Sequence, residues 1–374
     1  MNNIRMVDLH GQYLRIKDEV DRAIAKVLDS TAFIQGPQVS SFADALGRYV
    51  SSPYVVPCAN GTDALQIAMM ALDLKPGDEV ILPVHTYVAT AEVIALLGLK
   101  PVFVDVDAET FNLDVTQVEG SITAKTRAVV PVHLYGQCAD MEPLVSLATK
   151  HGLAIIEDTA QALGAVYKFK DGATKYAGTI GTIGTTSFFP SKNLGCYGDG
   201  GALFTSDATL AEKMKMIANH GQRKKYHHDI VGVNSRLDTL QAAILEVKLR
   251  SLPEYTRRRN DVAAYYDSRL GAIKNIIIPR RSSQSTHVFH QYTLRVPERR
   301  DELKKHLEVK GIPTMIYYPV PLHLQEAYRD YGSDEGSFPV TEELSRTVLS
   351  LPVHTEMEEA QLAFICEAIH EFFR

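Results

Sequence analysis

The chain has 374 residues, of which 45% are hydrophobic and 22% are charged, with a formal net charge of −6. This is typical of a globular protein with room for two domains, and it lacks the basic stripe of a nucleic-acid-binding protein. The four cysteines form no CxxC pair and no apolar run reaches the ~20 residues of a membrane span, which argues against disulfides and a zinc site and favours a cytoplasmic protein.

Short apolar runs alternate with helical patterns through the first two thirds of the chain. The runs predict strands at 54–59, 79–83, 101–107, 128–136 and 153–160, and further strands in GTTSFFPSK and GALFTSD. Nearly all-apolar strands separated by helices are typical of a parallel sheet that is covered on both faces. We therefore predict an α/β fold.

The pattern changes after residue 234. A long helical stretch, interrupted at Pro253, is predicted for SRLDTLQAAILEVKLRSLPEYTRRRNDVAAYYDSRL. Beyond about residue 270, HQYTLRVP predicts a strand and RDELKKHLEVKG predicts an amphipathic helix closed by Gly311. We predict a large α/β domain over 1–250, including an N-terminal helical segment, and a smaller C-terminal α+β domain over 251–374.

Ligands of open α/β sheets bind beyond the carboxyl ends of the strands, so polar residues at strand ends are candidate site residues. The first such segment is Asn60-Gly61-Thr62-Asp63, where a strand runs into a helix. Glycine allows close approach, and the free N–H groups of a helix N-terminus suit a phosphate. Taken alone, a simple helix cap explains the segment better.

The second segment is Ile155-Ile156-Glu157-Asp158, in which acids close an apolar strand. A helix cap is again the better explanation when the segment is taken alone. A buried carboxylate is costly, however, unless a cation or several hydrogen-bond donors accompany it. A protonated ring nitrogen would be such a partner.

The third segment is SFFPSKNLGCYGDGG, residues 187–201, which carries Ser187 and Lys192. A lysine in a dry, glycine-rich pocket loses part of its preference for the charged form, and the neutral amine attacks aldehydes. The alternative is an exposed loop lysine. Together, a phosphate cradle, a strand-end acid and a secluded amine match what pyridoxal phosphate requires.

A family resemblance supports this interpretation. The chain resembles the DegT/DnrJ/EryC1/StrS family of pyridoxal-phosphate sugar aminotransferases, of aminotransferase fold type I, in the blocks NGTDAL, PVHTYVATAEVIALLG, PVFVDVD, VVPVHLYGQCADM, IIEDTAQALGA, TTSFFPSKNLGCYGDGGALFT and GVNSRLDTLQAAIL. The resemblance covers nearly the whole chain. Within the family, the YHH…VGVNSRLDTLQAAIL block is most similar to 3-aminotransferases of nucleotide-linked 3-keto sugars.

The resemblance also implies roles for individual residues. Lys192 forms the Schiff base with the cofactor, and Asp158 pairs with its pyridine nitrogen. Other cofactor contacts fall to the phosphate-binding Gly61, Thr62 and Ser187, to Gln161 near the ring, and to Tyr87 on the ring face. Asn234 is expected to reach the cofactor phosphate of a neighbouring subunit, which implies a homodimer with shared active sites.

The residues that read the sugar are less defined by the sequence. Arg236 offers a bidentate partner for a carboxylate or a diphosphate. His228 lies in the polar loop KKYHHD, which is either a surface loop or a substrate contact. His323 lies in YYPVPLHLQEAY, which in relatives closes over the active site. His133 follows an apolar strand and is either a core histidine or a ligand.

The resemblance implies transfer of an amino group from L-glutamate to a nucleotide-linked keto sugar. The favoured substrate is UDP-2-acetamido-2-deoxy-3-keto-glucuronate, aminated at C3 for O-antigen or another surface polysaccharide. A dTDP-3-keto-6-deoxyhexose stays open as an alternative, as does a regulatory protein that binds pyridoxal phosphate without turnover. A nicotinamide site is disfavoured because GTIGTIG, residues 178–184, does not directly follow the first strand.

Overall fold

Residues 4–331 and 334–374 are described by this computed structural model. The helices, in chain order, are α1 (Leu9–Ser30), α2 (Pro37–Val50), α3 (Gly61–Ala71), α4 (Ala89–Leu96), α5 (Val115–Val118), α6 (Met141–His151), α7 (Ala208–Ala218), α8 (Thr239–Leu270), α9 (Arg300–Val309), α10 (Pro339–Thr347) and α11 (Glu359–Phe373). The strands are β1 (Tyr54–Cys58), β2 (Glu79–Pro83), β3 (Lys100–Val104), β4 (Thr126–Val129), β5 (Ala154–Asp158), β6 (Val166–Lys168), β7 (Thr174–Tyr176), β8 (Ile183–Ser187), β9 (Gly201–Thr205), β10 (Gln222–Lys224), β11 (His227–His228), β12 (Tyr292–Arg295) and β13 (Val348–Leu351).

A seven-stranded sheet with the order β1-β9-β8-β5-β4-β2-β3 forms the centre of the fold. The pairs from β8 through β5, β4 and β2 to β3 are all parallel, whereas β9 runs antiparallel to both of its neighbours. The predicted mostly parallel α/β fold is confirmed. Parallel strands end at the same edge of a sheet, so the residues that follow β2, β5 and β8 meet there.

Helices cover both faces of this sheet, which explains why its strands are apolar on both sides. Val80 and Leu82 of β2 pack in one core with α3, α4 and α7, and Ile81 between them packs in another core with α6. Successive side chains of a strand point to opposite faces, so β2 needs apolar residues throughout.

The strand predicted at 128–136 is shorter than expected, since β4 ends at Val129. Pro131 cannot donate a ladder hydrogen bond, and Tyr135 has a positive φ of 58°. The backbone from 130 to 136 is therefore irregular, although the carbonyl of Pro131 still accepts from the N–H of Asp158 at 3.0 Å.

The C-terminal part of the chain has its own core. Strands β12 and β13 form an antiparallel pair, and α9, α11 and the second half of α8 pack against it through residues such as Leu303, Ile365 and Tyr266. The strand and the amphipathic helix predicted here are confirmed.

The prediction that the long helix is interrupted at Pro253 was wrong. Helix α8 is continuous from Thr239 to Leu270 with Pro253 inside it. Proline removes one backbone hydrogen bond, but buried residues on both sides of it, such as Leu252 and Val262, pack into different cores and keep the helix together. The predicted domain boundary at residue 250 falls inside this helix and stays a prediction.

All four cysteines are free and buried. Within residues 4–331 and 334–374, no helix is long and apolar enough to cross a membrane.

Candidate active site

A cavity of about 710 Å³ lies at the carboxyl edge of the sheet. Its walls come from the turns after β1 and β2, from the end of β5, from β8 with the loop that follows, and from two more distant segments, in the ranges 60–63, 86–89, 158–161, 185–192, 290–291 and 317–318. The three segments singled out by the sequence therefore converge on one space.

Lys192 lies half-buried in the loop between β8 and β9. The backbone N–H of Lys192 donates to the carbonyl of Phe189 at 2.8 Å, which closes a tight turn around Pro190. Burial lowers the pKa of the Lys192 amine to about 8, although the negative charge of Asp158 opposes that shift. This amine therefore becomes neutral, and so nucleophilic, at a lower pH than an ordinary lysine does.

Asp158 is the last residue of β5 and is 7% exposed. One carboxylate oxygen accepts from the N–H of Ala160 at 3.0 Å, and the other accepts from the hydroxyl of Thr90 at 3.2 Å. The acid thus caps a turn, and not a helix as the simpler explanation held, because no helix lies between β5 and β6 in the described residues. It also lines the cavity. The role of Asp158 towards a cofactor stays a prediction.

The start of α3 has the form of an anion site. Asn60, and not Thr62 or Asp63, caps the helix, since its side-chain oxygen accepts from the N–H of Asp63 at 2.8 Å. A Cβ placed on Gly61 would lie 2.7 Å from the Cβ of Ser187, so only glycine fits here. The N–H groups of this helix end and the Ser187 hydroxyl lie beside one another at the cavity wall, where a phosphate would be bound well.

Tyr87 and Gln161 form further walls of the cavity. Tyr87 is 57% exposed, and its ring centre lies 6.2 Å from that of Tyr318. Gln161 is fixed in orientation, because its oxygen accepts from the N–H of Tyr135 at 2.8 Å and its amide nitrogen donates to the hydroxyl of Tyr318 at 3.2 Å. An aromatic face and an oriented amide are thus available to a planar ring.

The other predicted site residues lie outside the cavity of the single chain. Asn234 and His228 are exposed and Arg236 is half-buried, and none of them contributes to the cavity wall. His228 lies in the β10–β11 hairpin, where its Nδ1 bonds the carbonyl of His220 at 2.8 Å. His323 is buried, with its Nε2 lying 3.1 Å from the carboxylate of Glu342 and its ring packed on Phe338.

Several residues of the cavity wall were missed by the sequence analysis, notably His290, Tyr317 and Tyr318. Thr90 was missed too; it does not line the cavity but donates to Asp158. All four lie within segments that were quoted, but nothing distinguished them from their neighbours. Burial and the charge of Lys192 hold the pKa of His290 well below its ordinary value. Its ring is therefore neutral, and its Nδ1 has no partner among the described residues.

The residue before Asp158 anchors the strand end. Glu157 is fully buried, and its carboxylate accepts from the N–H groups of Gly178, Ile180 and Gly181. Its fourth donor is Nε2 of His133 at 2.9 Å, whose Nδ1 accepts from the N–H of Ala139 at 3.1 Å. His133 is thus a satisfied core histidine, and the glycines of GTIGTIG bind a side chain of the protein itself.

A second cavity of about 710 Å³ lies beside α5 and α6. Its acids are used locally: Asp114 caps α5 by accepting from the N–H of Thr116 at 3.0 Å, and Asp140 accepts from the hydroxyl of Tyr167 at 2.7 Å. Among the described residues of its wall the one lysine, Lys170, is exposed, unlike the half-buried Lys192. The cavity at the sheet edge is therefore the candidate active site.

Comparison with known proteins agrees with this geometry. The profile of the DegT/DnrJ/EryC1/StrS aminotransferase family matches residues 14–370. The chain belongs to this family. It is therefore an aminotransferase, and its sheet and C-terminal domain are those of aminotransferase fold type I.

Three relatives in this aminotransferase family are similar over nearly their full length. The UDP-2-acetamido-2-deoxy-3-oxo-D-glucuronate aminotransferase of Pseudomonas aeruginosa is 47% identical, covering 98% of this chain and 99% of the relative. The pleiotropic regulatory protein of Geobacillus stearothermophilus is 46% identical, covering 100% and 99%. The dTDP-3-amino-3,4,6-trideoxy-alpha-D-glucose transaminase of Streptomyces venezuelae is 42% identical, covering 99% and 96%.

Two solved structures of this aminotransferase type are similar in fold. DesV of Streptomyces venezuelae, in complex with a ketimine intermediate, has a TM-score of 0.96 and 42% identity, covering 100% of this chain and 99% of the other. NtdA of Bacillus subtilis, with bound cofactor PMP (pyridoxamine phosphate), has a TM-score of 0.88 and 31% identity, covering 95% and 81%.

Proposed function

We propose that this aminotransferase uses pyridoxal phosphate to move an amino group from L-glutamate to C3 of UDP-2-acetamido-2-deoxy-3-keto-glucuronate. The cofactor fits the residues present, because Gly61 leaves no room for a Cβ beside Ser187 and the start of α3 offers N–H groups to a phosphate. The observation that carries the proposal is that Lys192, whose amine has a pKa lowered by burial, lines the same cavity as Asp158.

Each residue then has a task. Gly61, Thr62 and Ser187 bind the phosphate, and Asp158 holds a proton on the ring nitrogen. Tyr87 covers the ring face, and Gln161 meets the ring oxygen. When bound, pyridoxal phosphate supplies an aldehyde that accepts the amino group and a ring that absorbs the electrons released when the substrate C–H bond breaks.

Lys192 handles the proton. With the cofactor bound, its Nζ would be available as a base, because burial lowers its pKa to about 8. Such a base would take a proton from the carbon of the amino donor. As an acid it would deliver a proton to the sugar carbon that receives the amino group, because its pKa lies near the working pH.

The choice of substrate is supported by the relative from Pseudomonas aeruginosa, whose name specifies this 3-oxo sugar. The Streptomyces venezuelae relative, a dTDP-sugar transaminase at 42% identity, supports a second candidate, a dTDP-3-keto-6-deoxyhexose. The substrate that we favour carries a diphosphate and a hexuronate carboxylate, which call for cations at the site.

A second copy of the chain supplies those cations in our proposal. Among the described residues of the cavity wall, the basic side chains are Lys192, which is engaged by the cofactor, and the neutral His290. Asn234 and Arg236 lie on a segment that also exposes Val231. We therefore propose a homodimer in which this segment reaches the partner's cavity. A role in O-antigen synthesis and a cytoplasmic location stay predictions.

Absorbance spectroscopy tests the proposal. The protein loaded with pyridoxal phosphate absorbs visible light, and L-glutamate should remove that band within a single turnover. UDP-2-acetamido-2-deoxy-3-keto-glucuronate, produced in place by a dehydrogenase, should restore it faster than a dTDP-3-keto-6-deoxyhexose does. A regulatory protein that binds the cofactor without turnover would show no response to glutamate.

A further inference from the structure

Helix α8 carries two buried cations, Lys248 and Arg259, which are 1% and 3% exposed. Neither forms an ion pair with an acid in the part of the chain that the structure describes. Each donates to main-chain carbonyls instead: Lys248 to Gly195, and Arg259 to Phe289 at 3.1 Å and Val353 at 2.9 Å. Burying an unpaired charge is costly, so an apolar residue would be expected if packing alone mattered.

Lys248 donates its hydrogen bond to a residue of the active-site loop. Gly195 lies three residues after Lys192, in the loop that joins β8 to β9. The Lys248 ammonium also lies 5.1 Å from the ring centre of Tyr197, within the range of a cation–π interaction. A cation between a carbonyl and an aromatic face is well placed although it forms no ion pair among the described residues.

A second residue of α8 holds the same loop. The side-chain oxygen of Gln241 accepts from the N–H of Tyr197 at 2.8 Å, and its amide nitrogen donates to the carbonyl of Tyr197 at 3.3 Å. Gln241 and Lys248 are seven residues apart, which is about two helical turns, so they lie on one face of α8. The helix therefore binds the loop at Gly195 and at Tyr197.

The loop is too tightly folded to move at one point alone. A Cβ on Gly195 would lie 2.3 Å from the carbonyl oxygen of Pro190, so these two backbone segments are in direct contact. The N–H of Cys196 also donates to the carbonyl of Phe188 at 2.8 Å. A displacement at Gly195 is therefore passed on to the turn that carries Lys192.

We propose that Lys248 is a positioning residue, which fixes the loop through the carbonyl of Gly195 and thereby holds the Lys192 amine in the cavity. The inference rests on the proposed function for its catalytic meaning. Its direct consequence, the rigidity of the loop, does not depend on any bound cofactor. Lys248 itself does not line the cavity.

Hydrogen exchange of the cofactor-free protein tests the contact. Lys248→Met removes the donor, so the amides of 192–198 should exchange about tenfold faster or more, since a lost bond from a charged group leaves a buried carbonyl without a partner. Lys248→Arg, which keeps a cationic donor, should restore part of the protection. Val262→Ala is the control, because it weakens α8 at a core residue that does not touch the loop.

Kinetics of the loaded enzyme separate positioning from stability. Lys248→Met should lower kcat about tenfold while the KM for L-glutamate changes less than about twofold, because the amine is misplaced but the substrate contacts remain. Lys248→Leu, which also lacks a donor, replaces Lys248→Met if the latter does not fold.

If the amides of 192–198 exchanged at the wild-type rate in Lys248→Met, the proposal would be overturned. An increase equal to that of Val262→Ala at every amide would also overturn it, since that pattern reports a loss of global stability. If the protein instead bound no cofactor while the exchange result held, the proposed function would fail and the loop contact would stand.

Discussion

Glu157 and Asp158 are neighbours on β5, and their carboxylates point to opposite faces of the sheet. Glu157 binds the main-chain N–H groups of the 178–181 segment, whereas Asp158 lines the active-site cavity. The first acid therefore holds the end of the strand in place, and the second is left to serve the site.

Glu157→Gln should destabilise the cofactor-free protein by about 1–3 kcal/mol. Each carboxylate oxygen of Glu157 accepts from two donors, so either orientation of the amide leaves two donors facing an NH₂ group. The free energy of unfolding in urea measures the loss. The exposed Glu367→Gln serves as the control, with an expected change within about 0.5 kcal/mol. Equal stability of the two variants would contradict the anchoring role.

Lys192→Ala should lower turnover at least about 10³-fold, because it removes both the Schiff-base amine and the proton carrier. Its unfolding temperature should not fall, since removing a lysine whose burial depresses its pKa relieves a cost of folding. Turnover and thermal unfolding are measured side by side with Lys175→Ala, an exposed lysine on β7. Turnover retained in Lys192→Ala would refute the assignment of this residue.

The uptake of pyridoxal phosphate should depend on pH. The folded pKa of Lys192, about 8, lies below its ordinary value of 10.5. Below pH 8 the amine is mostly protonated and cannot attack the aldehyde, so the uptake rate should rise with pH and level off above about 8. Stopped-flow absorbance measures this rate in the cofactor-free protein.

Asp158→Asn provides the matched variant for that pH profile. The charge of Asp158 raises the pKa of Lys192 against the effect of burial. Removing the charge should shift the midpoint of the profile to lower pH. A midpoint that moved upwards, or a profile without a plateau, would show that another group controls uptake.

Gly61→Ala should weaken the phosphate site and the fold together. The added Cβ would lie 2.7 Å from the Cβ of Ser187, and such overpacking costs about 1–3 kcal/mol. Ser187→Gly removes the clashing atom, so the double variant should recover part of the stability lost in Gly61→Ala. A double-mutant cycle on urea unfolding measures the coupling. Strict additivity would mean that the two residues do not share this space.

Mixed dimers test whether the site is shared between two copies. Lys192→Ala and an Asn234→Ala/Arg236→Ala double variant should each have little activity alone. If one site takes Lys192 from one chain and Asn234 with Arg236 from the other, mixing the variants should restore up to about a quarter of wild-type activity, since half of the chains then pair as hybrids with one intact site each. Activity that stays at the level of the separate variants would contradict sharing.

Much of the fold and part of the site could be predicted from the sequence. Apolar runs mark the strands because both faces of the sheet are covered, and a change to polar residues marks their ends at Asp158 and Ser187. Lys192 stands out because a cation among glycines is unusual. Each of these signals depends only on neighbouring residues, so a single sequence is enough to recognise it.

The remainder depends on contacts between distant parts of the chain. Tyr318 and His290 reach the cavity from the C-terminal third. Tyr318 lies in the segment that in relatives closes over the active site, but no local signal distinguishes it or His290 from their neighbours. Lys248 lies in a helix full of charged residues, where its burial depends on the loop that packs against it. Pro253 suggested a break in α8, but the packing of the two cores around it has the larger effect.

Strand β9 is paired with β1 on one side and β8 on the other. The turn that ends in Gly61 leaves from β1, and the loop of Lys192 joins β8 to β9. A Cβ on Gly201, the first residue of β9, would lie only 2.4 Å from the carbonyl oxygen of Asn60. Any thermal displacement of β9 must therefore carry both segments with it, so the span between a bound phosphate and the lysine nitrogen is preserved while the rest of the sheet flexes.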